Sequence, residues 1–525
     1  MLCSGIPPIA WRAVGGLLLG IAVLNGAPSV HGQLPTLDTE PGRNREQPAD
    51  PPDGALAVAA AMEQVVEEAI ERAGASIVAI ARERTDAPRR DLANDNDFFF
   101  PWARRIPPGM RGEPEEYEYL PTHFAAGVII SRDGNILTTY DALDDPQVNR
   151  YRVWHQGKEL QVQVLPAEVQ ASDPWTDLAV IKVDGENLPA IRWGNANRLK
   201  VGSFVISLGN PYAVARDGRP SASWGIVANL QRIGRPVDSE VPRGPMALPE
   251  SLQEFGTLIQ VDARLNLGTS GGALINLRGE LVGITTALAA SSGYEQAAGY
   301  AIPIDDAMRA AVTTMEGGRL PSFGFLGIQP SDLPDLQRAE GMRGAMVGYV
   351  LPGLPGDQAG LNQNDTITSV NGLAIDGARA LVGQLSRLPA GAPVSLSVIR
   401  PGRRSSIQLT ALLGKKLTSG SRPGFSRLAV PSWRGLQVDT ATAQSAERMF
   451  RRTFRTPPTN VAITRVDFDS PAWQAGLRTS HFIESVGGNK VLDPDDFYRQ
   501  VESLQGPVEL IVVIDDRPQS ITVDP

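Results

Sequence analysis

The stretch Asn266-Leu267-Gly268-Thr269-Ser270-Gly271-Gly272-Ala273 lies between two apolar runs, at 258–261 and 281–284. Glycines on both sides of a serine permit a tight turn that exposes its hydroxyl, and the N–H groups of Gly268 and Ser270 can converge on a developing oxyanion. Ser-Gly-Gly also suits a plain hairpin turn, so on its own the loop leaves nucleophile and turn both open. Working outward from it, short β-branched runs separated by turn residues extend from Ile77 to about Ile304, for instance at 127–130, 178–183, 204–208 and 281–286. Repeated short strands of this kind predict an all-β sandwich or barrel.

The chain has 525 residues, enough for about three domains at roughly 100 to 200 residues each. Its formal charge of -9, from 49 basic against 58 acidic residues, gives no footprint for nucleic acid and argues against a general affinity for anionic membranes. Arg12 followed by the apolar run 13–24 reads as an export signal over 1–32, with an uncleaved N-terminal anchor as the other reading. The only cysteine, Cys3, falls inside that segment, so a processed chain holds no thiol and no disulfide. Residues 33–54 have little to bury and read as a flexible leader. After it, Met62, Val65, Val66 and Ile70 recur at helical spacing before Gly74.

Two further features organise the chain. An insertion at 84–121 places Phe98, Phe99, Phe100, Pro101 and Trp102 in charged, Pro-rich sequence, which suits either a loop folded onto its own barrel or a contact surface. Beyond a helix at 305–316 and Gly317-Gly318 lies a duplication. Pro355-Gly356-Asp357-Gln358-Ala359-Gly360-Leu361 recurs as Pro471-Ala472-Trp473-Gln474-Ala475-Gly476-Leu477, a spacing that marks a duplicated domain. The Ser-, Gly- and Arg-rich segment 416–427 reads as the linker between the copies.

Taken in order, Gly127-Val128-Ile129-Ile130, Ile136-Leu137-Thr138-Thr139-Tyr140-Asp141, Thr176-Asp177-Leu178-Ala179-Val180, Leu208-Gly209-Asn210-Pro211, Leu258-Ile259-Gln260-Val261-Asp262-Ala263 and Gly299-Tyr300-Ala301-Ile302-Pro303 resemble the HtrA/Deg family of trypsin-like serine proteases. The resemblance runs through most of 60–525, because that family also carries C-terminal PDZ domains matching the duplication. It implies a mainly β chain: a trypsin-like double β-barrel at 55–320, a PDZ domain at 321–415 and a second at 428–525, both α+β. It also implies Ser270 as nucleophile, Gly268 and Ser270 as oxyanion hole, and Asp177 as the carboxylate that orients the base.

The base position departs from the family. Where the resemblance calls for histidine, this chain has Asp141, flanked by Tyr140 and Ala142. Of the four histidines, His31 lies in the signal region and His481 in the second repeat, while His123 and His155 read more simply as strand or turn residues. A carboxylate with a reference pKa near 4 is a feeble base toward a serine hydroxyl and is shorter than imidazole. Two neighbouring carboxylates also predict that one carries a raised pKa or that Asp141 turns to solvent. Leu267, Thr269 and Ala273 depart from the usual residues around the serine, and Arg264 falls near the expected pocket floor, as a pocket residue or an ordinary surface arginine.

Phe325-Leu326-Gly327-Ile328 resembles the PDZ loop whose N–H groups capture a C-terminal carboxylate. In the second copy, Trp433-Arg434-Gly435-Leu436 carries arginine where an apolar residue is usual, so packing there is as good a reading as capture. The expectation is an exported protein of the bacterial periplasm or envelope, with no cofactor and no metal. It is expected to bind peptide C-termini and unfolded proteins through a degenerate protease scaffold, as a homotrimer or larger homo-oligomer. The competing expectation is an active serine endopeptidase that uses a recruited or substrate-supplied base.

Overall fold

The computed structural model describes residues 53–85, 123–156, 162–209, 219–233, 251–263, 265, 268–286, 299–403, 405–418, 422–443 and 457–525. The export segment, nearly all of the leader, His31, the aromatics at 98–102, Arg264, Asn266 and Leu267 fall outside them.

Helix α1 (Asp53–Gly74) leads into the first barrel. Its inward stripe is Met62, Val66, Ala69, Ile70 and Ala73, with Ala69 and Ala73 buried in the apolar cluster that joins the two barrels. Val65 departs from the expected apolar face. It stands exposed, because the 3.6-residue period carries it off the stripe that Val66 and Ala69 hold.

The first barrel comprises β1 (Ile77–Arg84), β2 (His123–Ile129), β3 (Asn135–Thr139), β4 (Asn149–Gln156), β5 (Val162–Asp173) and β6 (Leu178–Val183), with the one-turn helix α2 (Tyr140–Leu143) after β3. Its order β5-β4-β1-β2-β3-β6 closes through β5 pairing with β6. After the short β7 (Arg192–Trp193), the second barrel is built from β8 (Phe204–Gly209), β9 (Ser221–Arg232), β10 (Leu258–Val261), β11 (Ala273–Ile275), β12 (Glu280–Thr286) and β13 (Gly299–Pro303). It closes through β11 pairing with β12. The alternation seen in the sequence serves two cores at once: Ile129, Ile136 and Ile181 line the first barrel and Val205, Leu274 and Val282 the second, while Val128, Leu137, Val180, Ile206, Leu208 and Ile284 face outward and pack between the barrels. Helix α3 (Asp306–Glu316) ends this part, capped by Asp305, whose carboxylate accepts from the Met308 N–H at 3.0 Å.

Two PDZ-type domains follow, each with its own core. The first contains β14 (Gly324–Phe325), β15 (Ile328–Asp332), α4 (Asp335–Ala339), β16 (Ala345–Val350), α5 (Pro355–Gln358), β17 (Thr366–Val370), β18 (Leu373–Ala374), α6 (Ala378–Leu385), β19 (Pro393–Ile399), β20 (Ile407–Leu412) and β21 (Gly414–Lys415). A strand from the segment between the copies, β22 (Phe425–Ser426), comes next. The second PDZ domain contains β23 (Leu436–Thr440), β24 (Val461–Val466), α7 (Pro471–Gln474), β25 (Phe482–Val486), β26 (Asn489–Lys490), α8 (Pro494–Glu502), β27 (Val508–Ile514) and β28 (Arg517–Val523). The repeated Pro-x-x-x-x-Gly-Leu motif does the same work twice. Its proline opens a one-turn helix, and its leucine, Leu361 or Leu477, anchors the core.

The segment read as a linker is docked rather than loose. β22 adds to β5 of the first barrel, pairing Phe425 with Ser172 and Ser426 with Ala171. Beside it the Arg427 N–H donates to the Gln170 carbonyl at 2.9 Å, and its guanidinium reaches the Gln170 side chain at 3.1 Å. Gln170 sits where the β5–β6 register slips, so its backbone groups are free to take an extra partner.

Candidate active site

The serine loop of the second barrel is pressed against the first. The Ala126 N–H of β2 donates to the Ser270 carbonyl at 2.8 Å, and the Thr138 hydroxyl of β3 donates to the Ala126 carbonyl at 2.9 Å. Gly271 has a φ of 82°. A methyl group there meets the Ala126 oxygen at 2.2 Å and the Thr138 hydroxyl at 2.3 Å, so only glycine permits this approach. From behind, the Thr285 hydroxyl donates to the Thr269 carbonyl at 2.5 Å, and the Gly271 N–H donates to the Thr285 carbonyl. Thr269 is buried beneath the loop, and Ser270 itself is half-buried. Among the described residues no backbone carbonyl accepts from the N–H of Gly268 or of Ser270.

Asp177 comes from an over-determined turn before β6. The Asp173 carboxylate accepts from the Thr176 N–H and hydroxyl at 3.1 and 2.8 Å and from the Trp175 N–H at 3.3 Å. The Gln253 amide donates to the Thr176 carbonyl at 3.0 Å. This network holds Asp177 at a φ of 59°, a left-handed conformation that Asp tolerates better than most residues. Its side chain is buried, with Oδ1 accepting from the Asp141 N–H at 3.3 Å and the Thr286 side chain favouring its charged form from the other side. Burial, reinforced by the nearby Asp141 charge, pushes the Asp177 carboxyl well above the usual carboxylate range.

Asp141, in the first turn of α2, is exposed and forms an ion pair with Arg422. The guanidinium also lies 4.5 Å from the Tyr140 ring centroid, and the Tyr140 hydroxyl donates to the Pro423 carbonyl at 3.0 Å. Arg422 therefore reaches back from the segment between the PDZ domains to the position that the family resemblance assigns to the base. Sequence reasoning missed it, because an arginine in Ser/Gly/Arg-rich sequence carries no local sign of its target.

The described histidines sit apart from this constellation. His123 lies on β2 opposite Arg82, three residues and about 10 Å along the strand from the Ala126 contact with the serine loop. His155 is on β4, and His481 lies in the second PDZ domain, where burial lowers its pKa and its Nδ1 accepts from the Arg478 N–H at 3.3 Å.

The loops at the start of the two PDZ domains differ. In the first, Gly327 has a φ of 75°, and no described backbone carbonyl accepts from the Leu326 or Gly327 N–H. In the second, the Leu436 N–H donates to the Trp433 carbonyl at 2.8 Å, closing the loop on itself. Arg434 bends over Trp433, and its guanidinium donates to the carbonyls of Val523 and Gly506 at 2.5 and 2.6 Å.

Two closed barrels with a serine loop at their junction, followed by PDZ modules, define a trypsin-like serine peptidase scaffold. Residues 125–284 match the trypsin-like peptidase domain family and 324–410 the PDZ domain family. The chain is 30% identical over 423 residues to a probable periplasmic serine endoprotease DegP-like of Chlamydia pneumoniae, covering 80% of this chain and 78% of that one. It is 30% identical over 403 residues to the DegP-like protein of Halomonas elongata, covering 76% and 77%, and 28% identical over 421 residues to the periplasmic serine endoprotease DegP of Salmonella typhimurium, covering 79% and 76%. The chain belongs to the HtrA/DegP family of periplasmic serine endoproteases and is an exported, periplasmic protein.

Proposed function

We propose that this chain is a degenerate member of its family, which binds peptide tails and unfolded envelope proteins and does not cleave them. The observation that carries the reading is the Asp141–Arg422 ion pair at the base position. Asp141 supplies a carboxylate already engaged by a cation, and Asp177 beneath it carries a carboxyl that burial drives toward its neutral form. With burial opposing the anionic form of Asp177 and Arg422 already engaging Asp141, the Ser270 proton has no good acceptor. Loss of the histidine alone costs about 10⁶ in turnover in a subtilisin-type triad.

The binding role rests on the first PDZ domain, with Phe325, Leu326, Gly327 and Ile328 as the carboxylate-capturing loop and Ile328 opening an edge strand whose outer side pairs with no strand among the described residues. The second PDZ domain, with Arg434 turned inward and its loop self-bonded, is assigned to packing. Assembly as a homotrimer or a larger homo-oligomer accompanies this reading, by kinship with the family.

An active endopeptidase is the second reading, and one observation favours it: the serine loop keeps its glycines and leaves the Gly268 and Ser270 N–H groups without a described carbonyl acceptor, as an oxyanion hole requires. Labelling with a fluorophosphonate, beside casein cleavage, separates the two. The degenerate reading expects the unaltered protein to label and cleave no better than Ser270→Ala. Labelling that vanishes in Ser270→Ala establishes the active enzyme instead.

A further inference from the structure

In the first PDZ domain, β15 is the edge strand of the sheet order β15-β16-β17-β19-β20, and among the described residues no strand occupies its outer side. A peptide end held at Leu326, Gly327 and Ile328 extends along that edge by exchanging backbone hydrogen bonds, running from Ile328 toward Asp332.

The edge is interrupted after two residues. The Gly327 carbonyl faces β16, where it accepts from the Leu351 N–H at 2.9 Å. The Gln329 carbonyl faces the same way, since a methyl group placed on Gly348 of β16 meets it at 3.2 Å. In a trans peptide the next nitrogen points opposite to that carbonyl, so the nitrogen of Pro330 faces the free edge. Proline has no N–H to offer there. The first donor past Ile328 on the binding side is therefore missing.

A second obstruction stands further along. The Asp332 carboxylate accepts from the Ala378 N–H at 2.8 Å, tying the end of β15 to the start of α6. A methyl group on Gly377 meets the same carboxylate oxygen at 2.7 Å, so the two elements touch. The groove between β15 and α6 is thus bridged about five residues, or roughly 16 Å, from Gly327.

We infer that this groove accepts a free C-terminal carboxylate with only the last two residues of a chain, and excludes a longer strand-adding peptide. This rests on the proposed capture role of the first PDZ domain and narrows it. The ligand chemistry is a newly exposed or frayed chain terminus, read without regard to the sequence upstream.

The test is fluorescence anisotropy on the full-length protein, using labelled di- and octapeptides that share an Ala-Val terminus, each as free acid and as amide. The expected result is that the two acids bind within about twofold of each other and the amides bind far more weakly. In Pro330→Ala, restoring one backbone hydrogen bond to the third-from-last residue is expected to tighten the octapeptide about tenfold and leave the dipeptide, which lacks that residue, unchanged. Asp332→Ala, which opens the far end without touching Pro330, is a second variant expected to favour only the octapeptide. An octapeptide that already binds the unaltered protein tenfold more tightly than the dipeptide overturns the length limit while leaving capture intact. Failure of every acid to bind all three chains overturns the capture role and the limit together.

Discussion

The carboxylate of Asp141 and the guanidinium of Arg422 meet across 281 residues of sequence, one on the first turn after β3 and the other just ahead of the strand that extends β5. Tyr140 takes part on both sides, with its ring beneath the guanidinium and its hydroxyl on the next carbonyl of the same segment. The connection between the PDZ domains is in this way a structural part of the peptidase cleft. At the position that the family resemblance assigns to the base, a cation from a distant segment accordingly lies against the carboxylate.

Restoring histidine alone is therefore expected to fail. In Asp141→His the imidazole faces Arg422, and a neighbouring cation lowers its proton affinity when catalysis needs the imidazolium. Asp141→His combined with Arg422→Ala removes that opposition. Casein cleavage is expected to be at least tenfold faster in the double variant than in Asp141→His, with Ser270→Ala as the blank. Equal rates in the two show that Arg422 does not oppose the restored base.

Asp177→Asn is expected to stabilise the fold at neutral and alkaline pH. The amide oxygen can accept from the Asp141 N–H, and the amide nitrogen, which brings no charge to bury, can face the Thr286 hydroxyl. Because folding raises the Asp177 pKa, the stability linked to its proton is fully present below the unfolded value of 3.8 and is lost as pH rises through the folded value. The gain from asparagine is about 1 to 3 kcal/mol at pH 8 and shrinks at pH 5. Urea unfolding at the two pH values measures it, and a variant less stable than the parent at pH 8 contradicts it.

The barrels, the duplication and the serine loop were legible because each rests on a local pattern. Alternating apolar residues become barrel lining, as at Ile136 and Ile181, and glycines at 268 and 271 mark a backbone turn with positive φ. The reading of Asp141 as the base position came from a family pattern and from nothing local to it. What escaped reading was long-range: Arg422 on Asp141, Arg434 folded onto the carbonyls of 506 and 523, and the closure of β15 by Asp332. Each depends on where a flexible side chain finds its partner in three dimensions, and nothing in the flanking sequence encodes that.

Trp175 is expected to be the main anchor between the peptidase barrels and the first PDZ domain. It is 1% exposed, donates its indole N–H to the Ser386 carbonyl at 3.0 Å, and packs against Phe255 and Phe323. Trp175→Ala is expected to cost about 3 to 5 kcal/mol, the range for deleting a buried aromatic ring. Limited proteolysis is expected to release the PDZ region sooner, and an unchanged digestion pattern refutes the anchor.

Lys416 gives that same junction a pH dependence. Its ammonium lies 4.4 Å from the Trp175 ring centroid and donates to the Ser386 hydroxyl at 3.1 Å. Burial lowers its pKa to about 8 from 10.5, so between those values the unfolded chain holds a proton that the folded chain has released. Stability contributed by this group therefore rises as pH increases from about 8 to 10.5, while below 8 the cost of burying the charge is fully present. Lys416→Met keeps the stem against Trp175 and removes the charge. The difference in melting temperature between the variant and the parent is expected to be largest at pH 7 and to narrow by pH 10, because only the parent gains from deprotonation. A difference that stays constant across that range shows that Lys416 does not titrate in the junction.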